Sequence, residues 1–282
     1  MNWVYLRIWQ KSVRRACVRS GVVCRESLLA DAILFYKNIV PLDRDAHRDL
    51  TLDTQAARFG FTRASNVIPA VVDEFTAAAH HLPIVFLPGG GTVVPVFLVG
   101  LRTGQNALVD RDGQWTGGYV PAFARRYPFI FGEMEGRDSV ACIDDACEGL
   151  RHAGGERLFK EDGTETALLI ERVTLMNEYF AAAKRNDVFA KLLVDLQLLL
   201  PVSIDAKFES GDTAALHGFL TIDTAKLEAL SDADFLRLRQ GGFIPAVYAH
   251  VASLANIDRI CKSMDALAAS AGKSGKAAAK AV

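Results

Sequence analysis

Two apolar, β-branched runs dominate the first half of the chain: Pro83-Ile84-Val85-Phe86-Leu87-Pro88 and Val93-Val94-Pro95-Val96-Phe97-Leu98-Val99. Gly89-Gly90-Gly91-Thr92 joins them. Glycines adopt the positive φ angles of a tight two-residue turn, so the pattern predicts an antiparallel hairpin. Pro95 cannot donate to a ladder, which predicts a sheet edge or the opening residues of its strand. A glycine run cradles phosphate where it links a strand to a helix N-terminus. Here it links two strand-like runs and lacks the Gly-Lys-Ser/Thr ending of a nucleotide loop, so it reads as a hairpin loop.

Around this hairpin the periodicity changes along the chain. Apolar residues at three- and four-residue steps predict a helix over 66–79, closed by Pro83. A short strand is expected at 107–110, followed by the turn Asp110-Arg111-Asp112-Gly113. Further on, helices are expected over 164–185 and 187–200, with a break between them and Pro201 as the stop. Strands are expected at 202–208 and 216–222. Ser231 with Asp234 reads as a helix N-cap, that helix breaking at Gly241-Gly242, and a last helix over 244–268 follows. Short strands early and helices late predict an α+β fold, with a mixed or antiparallel sheet of short strands and a packed helical layer.

Charge bears on partners. The chain is formally −1, but residues 1–25 hold six basic residues and no acid, while 26–261 hold 22 basic and 32 acidic residues. A body of about −10 repels phosphate backbones, so no nucleic-acid partner is expected. The basic stretch 1–34 lacks the apolar core and cleavage site of a secretory signal. It reads as an artefact of an upstream start, a targeting segment or an amphipathic surface-binding arm. Residues 269–282 are small and Lys-dotted and are expected to be a disordered tail, leaving 35–268 as the domain. No apolar run reaches the roughly 18 residues of a transmembrane span. Five scattered cysteines without a Cys-x-x-Cys pair fit a reducing, cytoplasmic setting and suggest no metal site.

The densest chemistry lies at 115–129, where Trp115, Tyr119 and Tyr127 flank Arg125 and Arg126. Such a segment can stack a planar ligand and clamp a carboxylate. Its structural alternative is a core segment in which Pro121 opens a short helix and the arginines pair with acids. His47, between acids, and His250, on the last helix, are the candidate acid/base groups. The carboxylate pairs Asp73-Glu74 and Asp144-Asp145 are adjacent and therefore point in different directions. Neither pair forms an acid/base couple by itself. No nucleotide, hydrolase or zinc-protease signature is present, and no cofactor is called for.

Read together, PLDRDAHRDLTL, VVDEFTAAAHHLPIVF, PVFLVGLRTGQNALVDRDGQWTGGYVPAFARRYPFIF, GERLFKEDG and FLRLRQGGFIPAVYAHVASLANI resemble the SapC-like family of bacterial proteins. The resemblance runs from about Phe35 to Ile257. It implies a surface-layer locus or neighbouring outer-membrane receptor genes, and it carries no established catalytic residues. Its recurring positions include His47, Glu74, Gly100, Trp115, Tyr119, Pro121, Arg125, Arg126, Tyr127, Tyr248, His250 and Asn256. The resulting expectation is an accessory or binding protein for a protein partner or small ligand. The alternative is an enzyme acting on a small planar or carboxylated molecule. Oligomeric state is not legible.

Overall fold

Each glycine of the central turn has the torsion its position demands, Gly90 at φ 56° and Gly91 at φ 89°, and Gly89 pairs with Thr92 across the closed hairpin. The computed structural model describes residues 22–23, 34–53, 58–134, 137–151 and 154–278. The strands are β1 Val22–Val23, β2 Ile39–Pro41, β3 Thr51–Leu52, β4 Val67–Pro69, β5 Ile84–Gly89 and β6 Thr92–Leu98. They continue as β7 Phe129–Met134, β8 Arg137–Asp144, β9 Leu150–Arg151, β10 Glu156–Arg157, β11 Leu199–Lys207 and β12 Thr213–Ile222. The helices are α1 Phe75–Ala78, α2 Ala122–Arg125, α3 Ala167–Asp195, α4 Thr224–Glu228, α5 Asp232–Gln240, α6 Ile244–Ser253 and α7 Ile257–Ala278. The fold is α+β, and every described ladder is antiparallel.

The chain forms two units, interleaved in sequence. The first holds the described residues up to Arg58 together with Arg126–Glu178. It contains a sheet of order β1-β7-β8-β2 and a small sheet of order β10-β3-β9. Leu52, Phe129, Ile143, Leu158, Phe159 and Leu169 form its core. The second unit holds Phe59–Arg125 and Tyr179–Val282, with the sheet β11-β12-β5-β6-β4. There Phe75, Phe86 and Phe189 meet edge to face or tilted, with centroids 6.1–6.5 Å apart, and Phe189 stacks on Phe243 at 5.0 Å. Each such buried ring contributes roughly 2–3 kcal/mol of hydrophobic stabilisation.

Several expectations are corrected here. Pro95 lies neither at a sheet edge nor at its strand's start, because β6 runs between β5 and β4. The cost is met locally. The Ala70 amide donates to the Pro95 carbonyl, and the Ala70 carbonyl, which Pro95 cannot serve, accepts from Asn186 Nδ2 at 2.8 Å. Asn186 Oδ1 in turn accepts the Val72 amide at 2.7 Å. Asn186 therefore clamps the chain after β4, and the break expected near it is absent, since α3 is one 29-residue helix.

The end of α3 also differs. Gln197 adopts φ 52°, the Leu198 amide bonds the Leu193 carbonyl and the Gln197 amide bonds the Val194 carbonyl. That is the Schellman pattern of a helix stop, so Pro201 falls inside β11 and does not end the helix. The helix expected over 66–79 is reduced to a 3₁₀ turn, Val72–Glu74, and α1. Residues 67–69 are instead extended as β4, as the residue before a proline prefers. The last helix is divided into α6 and α7 by a 3₁₀ turn at Leu254–Asn256, and α7 continues to Ala278. The Ser231 cap is as read: its hydroxyl accepts the Asp234 amide. Of the segment 269–282, expected as a disordered tail, residues 269–278 lie in α7 and 279–282 fall outside the described residues, as does almost all of 1–34.

Candidate functional site

Two buried carboxylates organise the aromatic and arginine segment, one in each unit. Glu74 sits where the 3₁₀ turn meets α1, on the face shared with Val71 and Ala78, and is 7 % exposed. Its Oε1 accepts the Tyr119 hydroxyl at 2.7 Å and the Ala122 amide at 2.6 Å. The Arg125 guanidinium approaches the same oxygen at 3.6 Å. Pro121 ends the extended approach to α2, and the Ala124 and Arg125 amides bond its carbonyl. Arg125 Nε donates to the Val120 carbonyl, and the guanidinium lies over the Tyr119 ring at 5.9 Å. The result is a stacked Arg125 and Tyr119 pair anchored from beneath by Glu74.

Burial pushes the Glu74 carboxyl above its ordinary range, against the opposing bonds from Tyr119 and Ala122 and the charge of Arg125. Burial and the neighbouring Glu74 push the Tyr119 phenol up as well. A carboxyl raised in the folded state binds protons more tightly there than in the unfolded chain. Its contribution is therefore full below about pH 4.5, the unfolded value, and is lost as pH rises through the raised folded value. Denaturant titrations should show the stability of wild type relative to Glu74→Gln falling as pH climbs above 4.5. A difference that stays flat across that range contradicts the assignment.

In the other unit Asp144 is fully buried. It accepts the Lys37 amide at 2.9 Å, the Asn38 amide at 2.8 Å and the Tyr127 hydroxyl at 3.1 Å. Tyr127 meets Tyr36 edge to face at 5.3 Å, and Arg126, 2 % exposed, lies with its guanidinium 6.0 Å from the Tyr36 ring. The five residues expected to form one ligand surface each have partners within their own unit. Tyr119 and Arg125 share Glu74, and Arg126 and Tyr127 share Tyr36. Trp115 pairs edge-on with Phe59 at 5.7 Å, beside Gly117.

The candidate histidines have partners of their own. His47 Nδ1 accepts the Asp43 amide at 2.9 Å within a turn. His250 is fully buried; its Nε2 accepts the Ile222 amide at 3.1 Å, with the Thr221 hydroxyl at 2.9 Å. A nitrogen that accepts carries no proton, so the proton of the neutral ring sits on Nδ1, turned toward the Ile84 carbonyl but outside hydrogen-bonding geometry. His250 is thus bonded to the end of β12, and its ring packs at 4.9 Å on Phe86 of β5, which pairs with Leu220. Next to it on the same face, Ser253 accepts the Ile84 amide, and Asn256 donates to the Ala79 carbonyl.

Within each adjacent carboxylate pair one member goes in and one out. Asp73 pairs with Arg185 at 3.1 Å while Glu74 is buried, and Asp145 accepts from Asn38 at the surface while Asp144 is buried. The roles of Glu74 and Asp144 as anchors were missed in the sequence. For Glu74 the signal was present, since it falls at helical spacing between Val71 and Ala78. Among the described residues no three His, Cys, Asp or Glu side chains are placed to hold a metal, and no helix is long and apolar enough to cross a membrane.

A family model, SapC, matches residues 42–260, most of the chain. The chain belongs to the SapC family. No curated protein and no solved structure matches it. The SapC match spans both units, and both carboxylate anchors with their tyrosines lie inside it, as do His47 and His250.

Proposed function

We propose that this SapC-family chain is a binding or accessory protein of surface-layer or envelope nutrient-uptake systems, and that the Arg125 and Tyr119 pair is a contact surface for a planar or carboxylated group. The observation that carries this reading is the anchoring of that pair. Arg125 keeps 43 % of its side chain exposed while one of its faces is held over Tyr119 and against Glu74. A guanidinium fixed in this way loses little entropy on binding, which favours recognition of a planar anion. The Glu74 oxygens are already taken up by a hydroxyl, backbone amides and a guanidinium, an arrangement that supports holding a surface in place.

Calorimetric titration of the purified chain against the proteins and small products of its own gene neighbourhood tests the proposal. At least one should bind, and Arg125→Ala should weaken that binding about tenfold, the worth of one charge-assisted contact. Tyr119→Phe, which keeps the ring, should weaken it less. Absence of binding to every neighbour would overturn the reading. One observation favours the alternative, an enzyme acting on a small planar or carboxylated molecule: burial raises the Glu74 carboxyl, which accepts the Tyr119 hydroxyl at 2.7 Å. Turnover of a bound neighbour product that disappears in Glu74→Gln would select it.

A further inference from the structure

A cleft of about 340 Å³ in the second unit is lined by Arg63, Gln105, Asn106, Val109, Arg111 and Leu267, with Asp110 and Gly104 completing the rim. None of these residues belongs to the Glu74, Tyr119 and Arg125 cluster. The volume is at the lower end of small-molecule sites, roughly 300–1,000 Å³. Three of the lining residues, Asn106, Val109 and Asp110, come from the NALVD stretch of the block that carries the family resemblance.

The walls are set before any ligand arrives. Gly100 brings its backbone so close to Gln105 that an added Cβ would lie 1.8 Å from the Gln105 carbonyl oxygen, which pinches the neck of the loop. The Ala107 amide bonds Val99, and the Asn106 amide bonds Arg63. The fully buried Asn106 side chain donates to Thr62 and accepts the Leu108 amide. Across the cleft, α7 is held to the loop by the Leu101 amide, 3.1 Å from Met264 Sδ, and contributes Leu267.

Charge and surface are divided within it. The Arg63 guanidinium is fixed by donating to the Asp110 carbonyl at 2.7 Å and the Arg111 carbonyl at 3.0 Å. Asp110 Oδ1 accepts the Asp112 and Gln114 amides, which offsets part of its charge. Arg63 and Arg111 both line the cleft, while the partly exposed Leu267 offers apolar surface. We propose that this cleft binds a small carboxylate with an apolar tail, about the size of a branched-chain amino acid or its deaminated acid.

The test is a ¹H–¹⁵N NMR titration of the full chain with 4-methylpentanoate and, separately, with leucine. Saturable shifts are expected at the amides of residues 104–111 and at Leu267, at about millimolar ligand. Arg111→Ala should weaken binding about tenfold by removing a charged donor, and Leu267→Asp by at least that by placing a carboxylate against the tail. Tighter binding of leucine supports the proposal with Asp110 receiving the ammonium; tighter binding of 4-methylpentanoate supports it with the carboxylate alone recognised. Absence of saturable shifts with both probes overturns it. So does binding whose affinity is unchanged in both variants while their spectra remain those of the folded protein.

Discussion

Replacing Asp144 by alanine is expected to cost its unit about 3–5 kcal/mol, the usual scale for removing a buried charged acceptor from its donors. The carboxylate is fully buried and receives two consecutive amides, Lys37 and Asn38, together with the Tyr127 hydroxyl and a longer bond from Ala146. These donors come from three parts of the chain. A single side chain therefore ties the segment before β2 to the end of β8 and to the start of β7. Alanine leaves the amides and the hydroxyl without that acceptor. Asparagine keeps the shape but turns an NH₂ toward one of the donors, so Asp144→Asn should fall between wild type and alanine. Urea unfolding gives the loss, and amide exchange at Lys37 and Asn38 localises it. A loss below about 1 kcal/mol, the scale of one ordinary hydrogen bond, would show that the anchor is dispensable.

Acidification is expected to destabilise the second unit through His250. Burial holds its pKa down to about 4 against an ordinary 6.5. Between those values the unfolded chain takes up a proton that the folded chain does not. The stability is therefore complete above pH 6.5 and is lost as pH falls toward 4, by up to about 3 kcal/mol at 1.36 kcal/mol per pH unit. The cause is visible around the ring. Phe86 stacks at 4.9 Å, Ile222 and Thr221 occupy Nε2, and a proton there would displace the Ile222 amide. His250→Phe removes the titration, so the stability of wild type relative to this variant should shrink as pH drops from 6.5 to 4. A constant difference would mean that the ring is not held neutral. The trend is opposite in sign to that of Glu74, so the two variants separate the contributions.

Much of the local structure was legible. Gly90-Gly91 made the hairpin because only glycine takes both torsions cheaply, Gly113 at φ 80° closed the turn after Asp110, and the Ser231 hydroxyl found the Asp234 amide three residues on. Each of these is decided within a few residues. The misreadings had distant causes. The polar Arg185-Asn186-Asp187 stretch looked like a break because the orphan groups that Asn186 serves, at Ala70 and Val72, lie more than a hundred positions earlier. Residues 67–69 have apolar spacing that suits a helix, but β6 offered them a ladder and Pro69 disfavoured the helical form.

The site divides in the same way. The sequence alone determined that Tyr119, Arg125, Arg126 and Tyr127 are close along the chain and that adjacent carboxylates cannot act as a couple, and it offered a short helix opened by Pro121 as one of two alternatives. Only the tertiary structure decided which acid of each pair is buried and which tyrosine it receives. Glu74 meets Tyr119 and Asp144 meets Lys37 and Asn38 because buried carboxylates must be supplied with donors, and those donors arrive from segments that folding alone brings together.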